Sequence, residues 1–464
     1  MICRRYAIYA CGPYCSLVYE YAGKGTRPTS AQRMTSQPPH PMRFTRRQFL
    51  KTSSAAAAAP LLLSSATLAL GAKGPNERIT LGFIGTGTQG RGLLQNFLNQ
   101  SDTQVLAICD VDTTRREHHK KLTDDFYSAK GNKEYKGCAV YKEFQELIAR
   151  KDIDAVVIAT PDHWHAYIAV AAANAKKDIY CEKPLSLTIH EARQMVKAAR
   201  KNDIVFQTGS MQRSSSEFRK ACELVRNGRI GKVKQVIVDV GPSSKPCDLP
   251  EEAMEPGLNW DMWLGPSPVR PYNSILSPRG VHQNFPDWRN YREYSGGMMT
   301  DWGAHHFDIA QWGLGMDDSG PVEIIPPSDP KANRGVRYIY ANGVEMLHGD
   351  SGGVLFIGTE GKILVNRGKF EATPASIDQP LDDNCIRLYK SNNHGKDFLD
   401  CIRSRKKPIC DVEIGCRSVT VCHLGNIAYW THKRLQWDPV KEQITNDAEA
   451  NKWLDREKRG DWKV

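Results

Sequence analysis

From residue 79 onward the chain alternates short apolar runs with helical stretches. Residues 79–84 have the composition of a strand buried on both faces. A glycine turn follows, then a helical pattern over about 90–98. Residues 105–109 predict a second strand that ends at Asp110, and a polar helical stretch covers 113–129. The alternation continues with strand 153–159, alanine-rich helix 164–175, strand 179–181, helix 190–202 and strand 204–207. Strands alternating with helices predict a Rossmann-type α/β domain, a doubly wound parallel sheet, over residues 73–209.

Past residue 210 the period changes. Residues 233–240 alternate apolar and polar side chains, as a half-exposed antiparallel strand does. Residues 335–346 and 353–365 look alike, with turn glycines between them. These segments predict an α+β domain over 210–464 built on a mostly antiparallel sheet. Residues 241–297, rich in Pro, Trp and Gly, show little regular pattern, and loops of that length usually carry function.

Ahead of the first strand lies Thr45-Arg46-Arg47-Gln48-Phe49-Leu50-Lys51, a twin-arginine export signature, followed by a weakly apolar, alanine-rich stretch. That stretch is too short and too poor in large side chains to span a membrane. It reads as a signal peptide over 42–72 with cleavage near 69–72. Residues 1–41 have no periodic pattern and read as a non-native or disordered extension ahead of a true start at Met42. The expectation is an exported, periplasmic protein that passes through the twin-arginine translocase, which carries folded cargo. The formal net charge of +11 gathers largely in the basic N-terminal segment, so the body shows no nucleic-acid footprint. Of 13 cysteines, three precede the signal and the rest are scattered without a Cys-x-x-Cys pair. Neither a zinc site nor a disulfide framework is expected of a chain folded in a reducing compartment.

Gly85-Thr86-Gly87-Thr88-Gln89-Gly90 has the Gly-x-Gly-x-x-Gly form. Alone this is weak. Here it follows a predicted strand, opens a predicted helix, and precedes Asp110 by the spacing of a dinucleotide site. Gly85 permits the tight turn, Gly87 the approach of a pyrophosphate, and Gly90 the contact of helix with strand. The pyrophosphate then sits on a helix N-terminus. Asp110 suits the ribose hydroxyls and repels a 2′-phosphate, which favours NAD over NADP, although Arg115 and Arg116 stand close enough to serve a 2′-phosphate.

Glu182-Lys183-Pro184 follows another predicted strand, which places Lys183 at the carboxyl edge of the sheet, where ligands bind. A second cluster runs Gly297-Met298-Met299-Thr300-Asp301-Trp302-Gly303-Ala304-His305-His306-Phe307-Asp308. On one helix Asp301, His305 and Asp308 share a face, while His306 points elsewhere and reads as structural. Oxidising an alcohol with NAD needs a base for the hydroxyl proton while the carbon gives up hydride. Histidine titrates in the right range; a nearby lysine can hold the oxygen, and Asp301 can orient the pair. No further ligands accompany them, so no metal is expected.

With Thr160-Pro161-Asp162-His163-Trp164-His165, these motifs resemble the family of glucose-fructose oxidoreductase, inositol dehydrogenase and the rhizopine-catabolism proteins. The matching features span 85–308. The resemblance implies Lys183, Asp301 and His305 as the catalytic set, and Thr160, Pro161, Asp162, His165 and Glu182 on the nicotinamide side. The family usually has Asn where this chain has Asp162. A large open sheet in the second domain, used for dimer or tetramer contacts, is also implied, as are sugars, polyols or their derivatives as substrates.

Gln212 and Arg213 leave the last strand of the first domain toward the expected cleft and are candidates for substrate hydroxyls. Trp288, Tyr291 and Trp302 join them, since aromatic faces suit the apolar C–H faces of sugar rings. The expected reaction is hydride exchange at a secondary alcohol, for example C3 of a pyranose, with His305 taking the proton. Outside the cytoplasm free NAD is scarce, so the cofactor is expected to be tightly bound. Two alternatives stay open: net glycoside cleavage through transient oxidation, and a non-catalytic sugar or nucleotide sensor on the same scaffold.

Overall fold

The computed structural model describes residues 77–131 and 135–464; the export signature and residues 1–41 lie outside the described residues. Six strands form the first sheet: β1 (Ile79–Ile84), β2 (Thr103–Cys109), β3 (Ala139–Tyr141), β4 (Ala155–Ile158), β5 (Asp178–Cys181) and β6 (Phe206–Thr208). Their spatial order is β3-β2-β1-β4-β5-β6, and every pair is parallel. The chain reverses its building direction between β1 and β4. In such a sheet the ligand crevice opens there, beyond the carboxyl ends of the strands. β4 is buried along its whole length, which is why its sequence is apolar throughout rather than alternating. Helices Thr88–Leu98, Thr113–Ala129, Asp162–Asn174 and Ile189–Asn202 lie between the strands in sequence.

The second sheet has nine strands: β7 (Val233–Val238), β8 (Glu323–Ile325), β9 (Arg337–Ile339), β10 (Glu345–His348), β11 (Val354–Gly358), β12 (Lys362–Asn366), β13 (Lys369–Thr373), β14 (Leu435–Asp438) and β15 (Gln443–Ile444). Its order is β13-β12-β11-β7-β10-β9-β8-β14-β15, antiparallel throughout except for β7 with β10. The two longer stretches expected from alternation resolve into hairpins, because turns at Asn342-Gly343 and at 359–361 fold each back on itself. One face is closed by helices Ser216–Arg226, Gly303–Leu314 and Val412–Thr431 over Val236, Val238, Met346, Phe356 and Ile363, all with no accessible surface. On the opposite face Ile237, Leu347, Leu355 and Ile357 are only partly covered.

A division at residue 210 follows the chain more closely than it follows space. Helix His394–Ser404 returns to the first sheet, where Phe398 packs edge-on to Phe97 and Tyr180, with ring centroids 6.4 and 5.8 Å away. Val412, Cys416 and Val419 of the following helix also join a core cluster of the first sheet. These contacts pack the first sheet and its helices against chain from beyond residue 390, including a helix that also backs the second sheet.

Candidate active site

The glycine turn shows three different reasons for lacking a side chain. Gly85 has φ of +93°, and a Cβ there would meet the Ala159 carbonyl and the Thr160 nitrogen at 2.6 Å. A Cβ on Gly90 would collide with the Gly85 carbonyl oxygen, whereas one on Gly87 would meet nothing within 4 Å. Gly87 therefore borders open space in front of helix Thr88–Leu98, and it caps that helix without any side-chain hydrogen bond. The first-turn amides face that space, the arrangement that receives a pyrophosphate. Asp110 accepts from the Thr86 amide and hydroxyl, both at 2.7 Å, and from the Asp112 amide at 2.8 Å. Its carboxylate is pinned beside the turn with lone pairs left for ribose hydroxyls. The residues present fit a nicotinamide dinucleotide.

Arg115 is buried and committed elsewhere. It donates to Gly280 O at 3.1 Å, to Ser277 Oγ at 3.3 Å and to the Pro278 carbonyl. Arg116 donates to the Asp110 carbonyl at 2.9 Å. The loop that Arg115 holds runs on across the nucleotide edge: Thr88 donates to Asn284 O at 2.7 Å, and Arg91 to His282 O at 2.8 Å. Sequence patterning alone gave no sign of this strap, since its contacts join residues more than 160 positions apart.

At the reacting end, Lys183 leaves β5 and donates through Nζ to Asp301 Oδ1 at 2.9 Å and to the Asp301 carbonyl at 3.1 Å. Arg289 Nε reaches the same Oδ1 at 3.2 Å. Burial would raise the Asp301 carboxyl, but Lys183 and Arg289 outweigh it and hold the group below its usual range. Two cationic donors thus converge on one carboxylate at this edge, and such donors suit an oxygen that gains negative charge. His305 is buried nearby, and burial, then Lys183 and Arg367, push its imidazole well below the usual value. The ring is therefore neutral near pH 7.

The other expected residues divide into supports and contacts. Glu182 is buried and accepts from Gln89 Nε2 at 2.9 Å, tying β5 to the first turn of the nucleotide helix. Asp162 accepts from Ser295 Oγ at 2.6 Å; burial pushes its carboxyl up to about 7. Thr160 and Pro161 form the turn that precedes it and remain partly exposed. His165 is buried between two loops: its ring nitrogens lie 2.9 Å from Pro184 O and Thr160 O, and the ring, whose pKa burial lowers to about 4, donates to one of the two carbonyls.

Several expectations fail on packing. The single helix expected through Asp301, His305 and Asp308 is broken at Trp302 into Met298–Asp301 and Gly303–Leu314. Asp308 faces Arg213, which binds it through two bonds of 2.8 Å and also pairs with Asp317 at 2.7 Å. Arg213 is 1% exposed and cannot reach substrate hydroxyls. Trp288 and Tyr291 are buried in a local aromatic cluster with Trp260, Trp263 and Tyr294, so they are core residues. Gln212 lies between His305 and Arg367, and its amide satisfies both when its oxygen faces Arg367 and its NH2 faces the ring. Of the expected substrate contacts only Trp302 is substantially exposed, at 42%, with Arg367 over one face of its ring. Arg289 and Arg367 were missed, since neither belongs to a motif.

Residues 79–210 match the oxidoreductase family with an NAD-binding Rossmann fold, and residues 243–464 match the C-terminal α/β domain of the same family. Residues 43–62 match the twin-arginine translocation signal. The chain belongs to this glucose-fructose oxidoreductase, inositol dehydrogenase and rhizopine-catabolism family and carries a twin-arginine export signal. It is similar to the myo-inositol 2-dehydrogenase of Thermotoga maritima, 33% identical over 36% of this chain and 47% of that protein. It is also similar to a glycosyl hydrolase family 109 protein of Shewanella pealeana, 31% identical over 34% of this chain and 37% of that protein. The aligned stretch thus spans less than half the length of these relatives. Among solved structures, the WlbA dehydrogenase of Bordetella pertussis in complex with NADH and UDP-GlcNAcA is similar at a TM-score of 0.55 and 16% identity, over 78% of this chain and 99% of that one. The aldose-aldose oxidoreductase of Caulobacter crescentus is similar at 0.53 and 16%, over 77% and 99%. At such identity the likeness is one of fold.

Proposed function

We propose that the mature protein is a periplasmic, NAD-dependent oxidoreductase that exchanges hydride at a secondary alcohol of a sugar, polyol or glycoside. One observation carries the reading: Lys183 and Arg289 both meet Asp301 within hydrogen-bond reach at the carboxyl edge of a glycine-cradled sheet, close enough to the buried His305 for Lys183 to lower its pKa. The bound nicotinamide supplies the acceptor for hydride. Asp301 orients Lys183, and the amine–imidazole pair handles the hydroxyl proton and the charge on its oxygen. Trp302 offers its exposed ring to a C–H face of the sugar.

A cofactor loaded before export must be kept. The strap over 277–284 supports tight retention, and the commitment of Arg115 to it supports NAD rather than NADP. By chain order the nucleotide domain is assigned to 73–209 and the substrate domain to 210–464, the latter sending helices His394–Ser404 and Val412–Thr431 back to the first sheet, with the half-covered outer face of the second sheet as the surface for a dimer or tetramer. The test is to dialyse purified mature protein, denature it and identify the released nucleotide. The reading expects NAD close to one per chain; protein that carries none and binds NAD only weakly refutes the retained-cofactor part.

A second reading is favoured by one comparison, the likeness to a glycosyl hydrolase family 109 protein. Transient oxidation acidifies the neighbouring C–H, so a glycosidic group can leave before re-reduction. Glycoside cleavage without accumulation of reduced cofactor would select it.

A further inference from the structure

Gln212 and Arg367 decide which nitrogen of His305 carries the ring proton. Arg367, in the turn between β12 and β13, has only donors to offer. Its Nε and Nη2 approach the Gln212 side chain at 3.1 and 3.2 Å, so the group that faces them is Oε1. The Gln212 NH2 must then face His305, where it donates to Nδ1. A neutral imidazole that accepts at Nδ1 holds its hydrogen on Nε2. Gln212 and His305 are 8% and 6% exposed, so water does not readily replace the amide. Arg367 is exposed but placed: its guanidinium lies 4.4 Å over the Trp302 ring and donates to His306 Nε2 at 3.2 Å. His306 completes the set by donating from Nδ1 to the Asp239 carbonyl at 2.8 Å.

We infer that Gln212, oriented by Arg367, is a positioning residue that locks His305 in its Nε2–H form, so that His305 meets the substrate oxygen as a donor and Lys183 exchanges the proton. The inference rests on the oxidoreductase reading and reverses the roles expected from sequence. In the reductive direction the Lys183 N–H bond breaks and an O–H bond forms on the substrate oxygen, while the carbonyl carbon gains the hydride that a bound dihydronicotinamide would supply. Oxidation retraces this from the neutral amine, whose Nζ lone pair takes the hydroxyl proton as the O–H bond breaks. The Nε2–H bond of His305 stays intact and steadies the oxygen.

The Gln212→Glu variant tests this. The new carboxylate is nearly isosteric and keeps the Arg367 contact, but it only accepts, and so demands a hydrogen on Nδ1. Histidine-selective ¹⁵N NMR of the mature protein, with His305 assigned against a His305→Asn variant, reads the tautomer without turnover. Wild-type His305 is expected to be bare at Nδ1 and protonated at Nε2. In Gln212→Glu the Nδ1 becomes protonated and kcat falls about 10²-fold, with NAD still bound. A wild-type ring protonated at Nδ1, or a Gln212→Glu kcat equal to or above wild type, overturns the inference. Arg367→Met frees Gln212 to rotate and should give both tautomers with roughly a tenfold loss; an unmixed Nε2–H signal there refutes the part assigned to Arg367. Absence of turnover with every sugar would count against the oxidoreductase reading, while the NMR result judges the lock by itself.

Discussion

Asp162 is a buried carboxyl beside two cations, and its chemistry makes a pH-dependent prediction. Burial raises its folded pKa to about 7, above the unfolded value of about 3.9. The fold therefore binds this proton more tightly than the unfolded chain does. The resulting stability is fully present below about pH 4 and is lost as pH rises through about 7. Asp162→Asn removes the ionisable group, so its advantage over wild type should grow from near zero at pH 4 to roughly 2–4 kcal/mol at pH 8. Denaturant melts at several pH values measure this; a difference that does not vary with pH contradicts the assignment. Lys183→Ala should lower kcat by at least about 10³-fold and leave NAD affinity within a few-fold, as read by turnover and calorimetry. At this scale the sequence marked Lys183, Asp301 and His305 because each sits in a short motif. Arg289 and Arg367 escaped because a partner brought in by tertiary folding leaves no local spacing to read.

At the scale of elements, the broken helix at Trp302 sorts two neighbouring aspartates into different work. Asp301 faces the crevice, while Asp308 and Arg213 form a buried pair. Losing one partner of such a pair costs about 3–5 kcal/mol, so Arg213→Met should lower unfolding stability by that order. Unchanged stability with a raised KM would return Arg213 to the substrate. The strap over 277–284 predicts that Arg91→Ala with Arg115→Ala yields protein that loses NAD on dialysis and regains turnover when NAD is added; full retention would show that the strap does not hold the cofactor. The Rossmann strands and helices were legible because buried parallel strands are continuous apolar runs broken by glycine and helix signals. Helix Val412–Thr431 was not legible, since it is buried on nearly every side and so has no polar stripe to set a period. The strands β9 to β12 were seen as two stretches rather than four because alternation continues through a tight turn.

For the whole molecule, the export signal, the strapped nucleotide crevice and the amine–carboxylate–imidazole cluster form one consistent scheme. On the proposed reading, a folded protein that leaves the cytoplasm with its cofactor enclosed acts only if the bound nucleotide is reduced and reoxidised in place. The proposed self-association through the half-covered aliphatics Ile237, Leu347, Leu355 and Ile357 predicts a dimer or tetramer in light scattering of the mature protein; a monomer would refute it. The central claim is that a sugar hydroxyl, beside Lys183, reduces the nicotinamide held in this crevice. Its most direct test is the near-ultraviolet absorbance of dihydronicotinamide, recorded as NAD-loaded wild type and Lys183→Ala are mixed with a panel of sugars and glycosides. The account predicts that at least one compound raises the absorbance of wild type up to the level of bound nucleotide and leaves Lys183→Ala unchanged. Equal responses from the two proteins, or no response from loaded wild type to any compound, would contradict it.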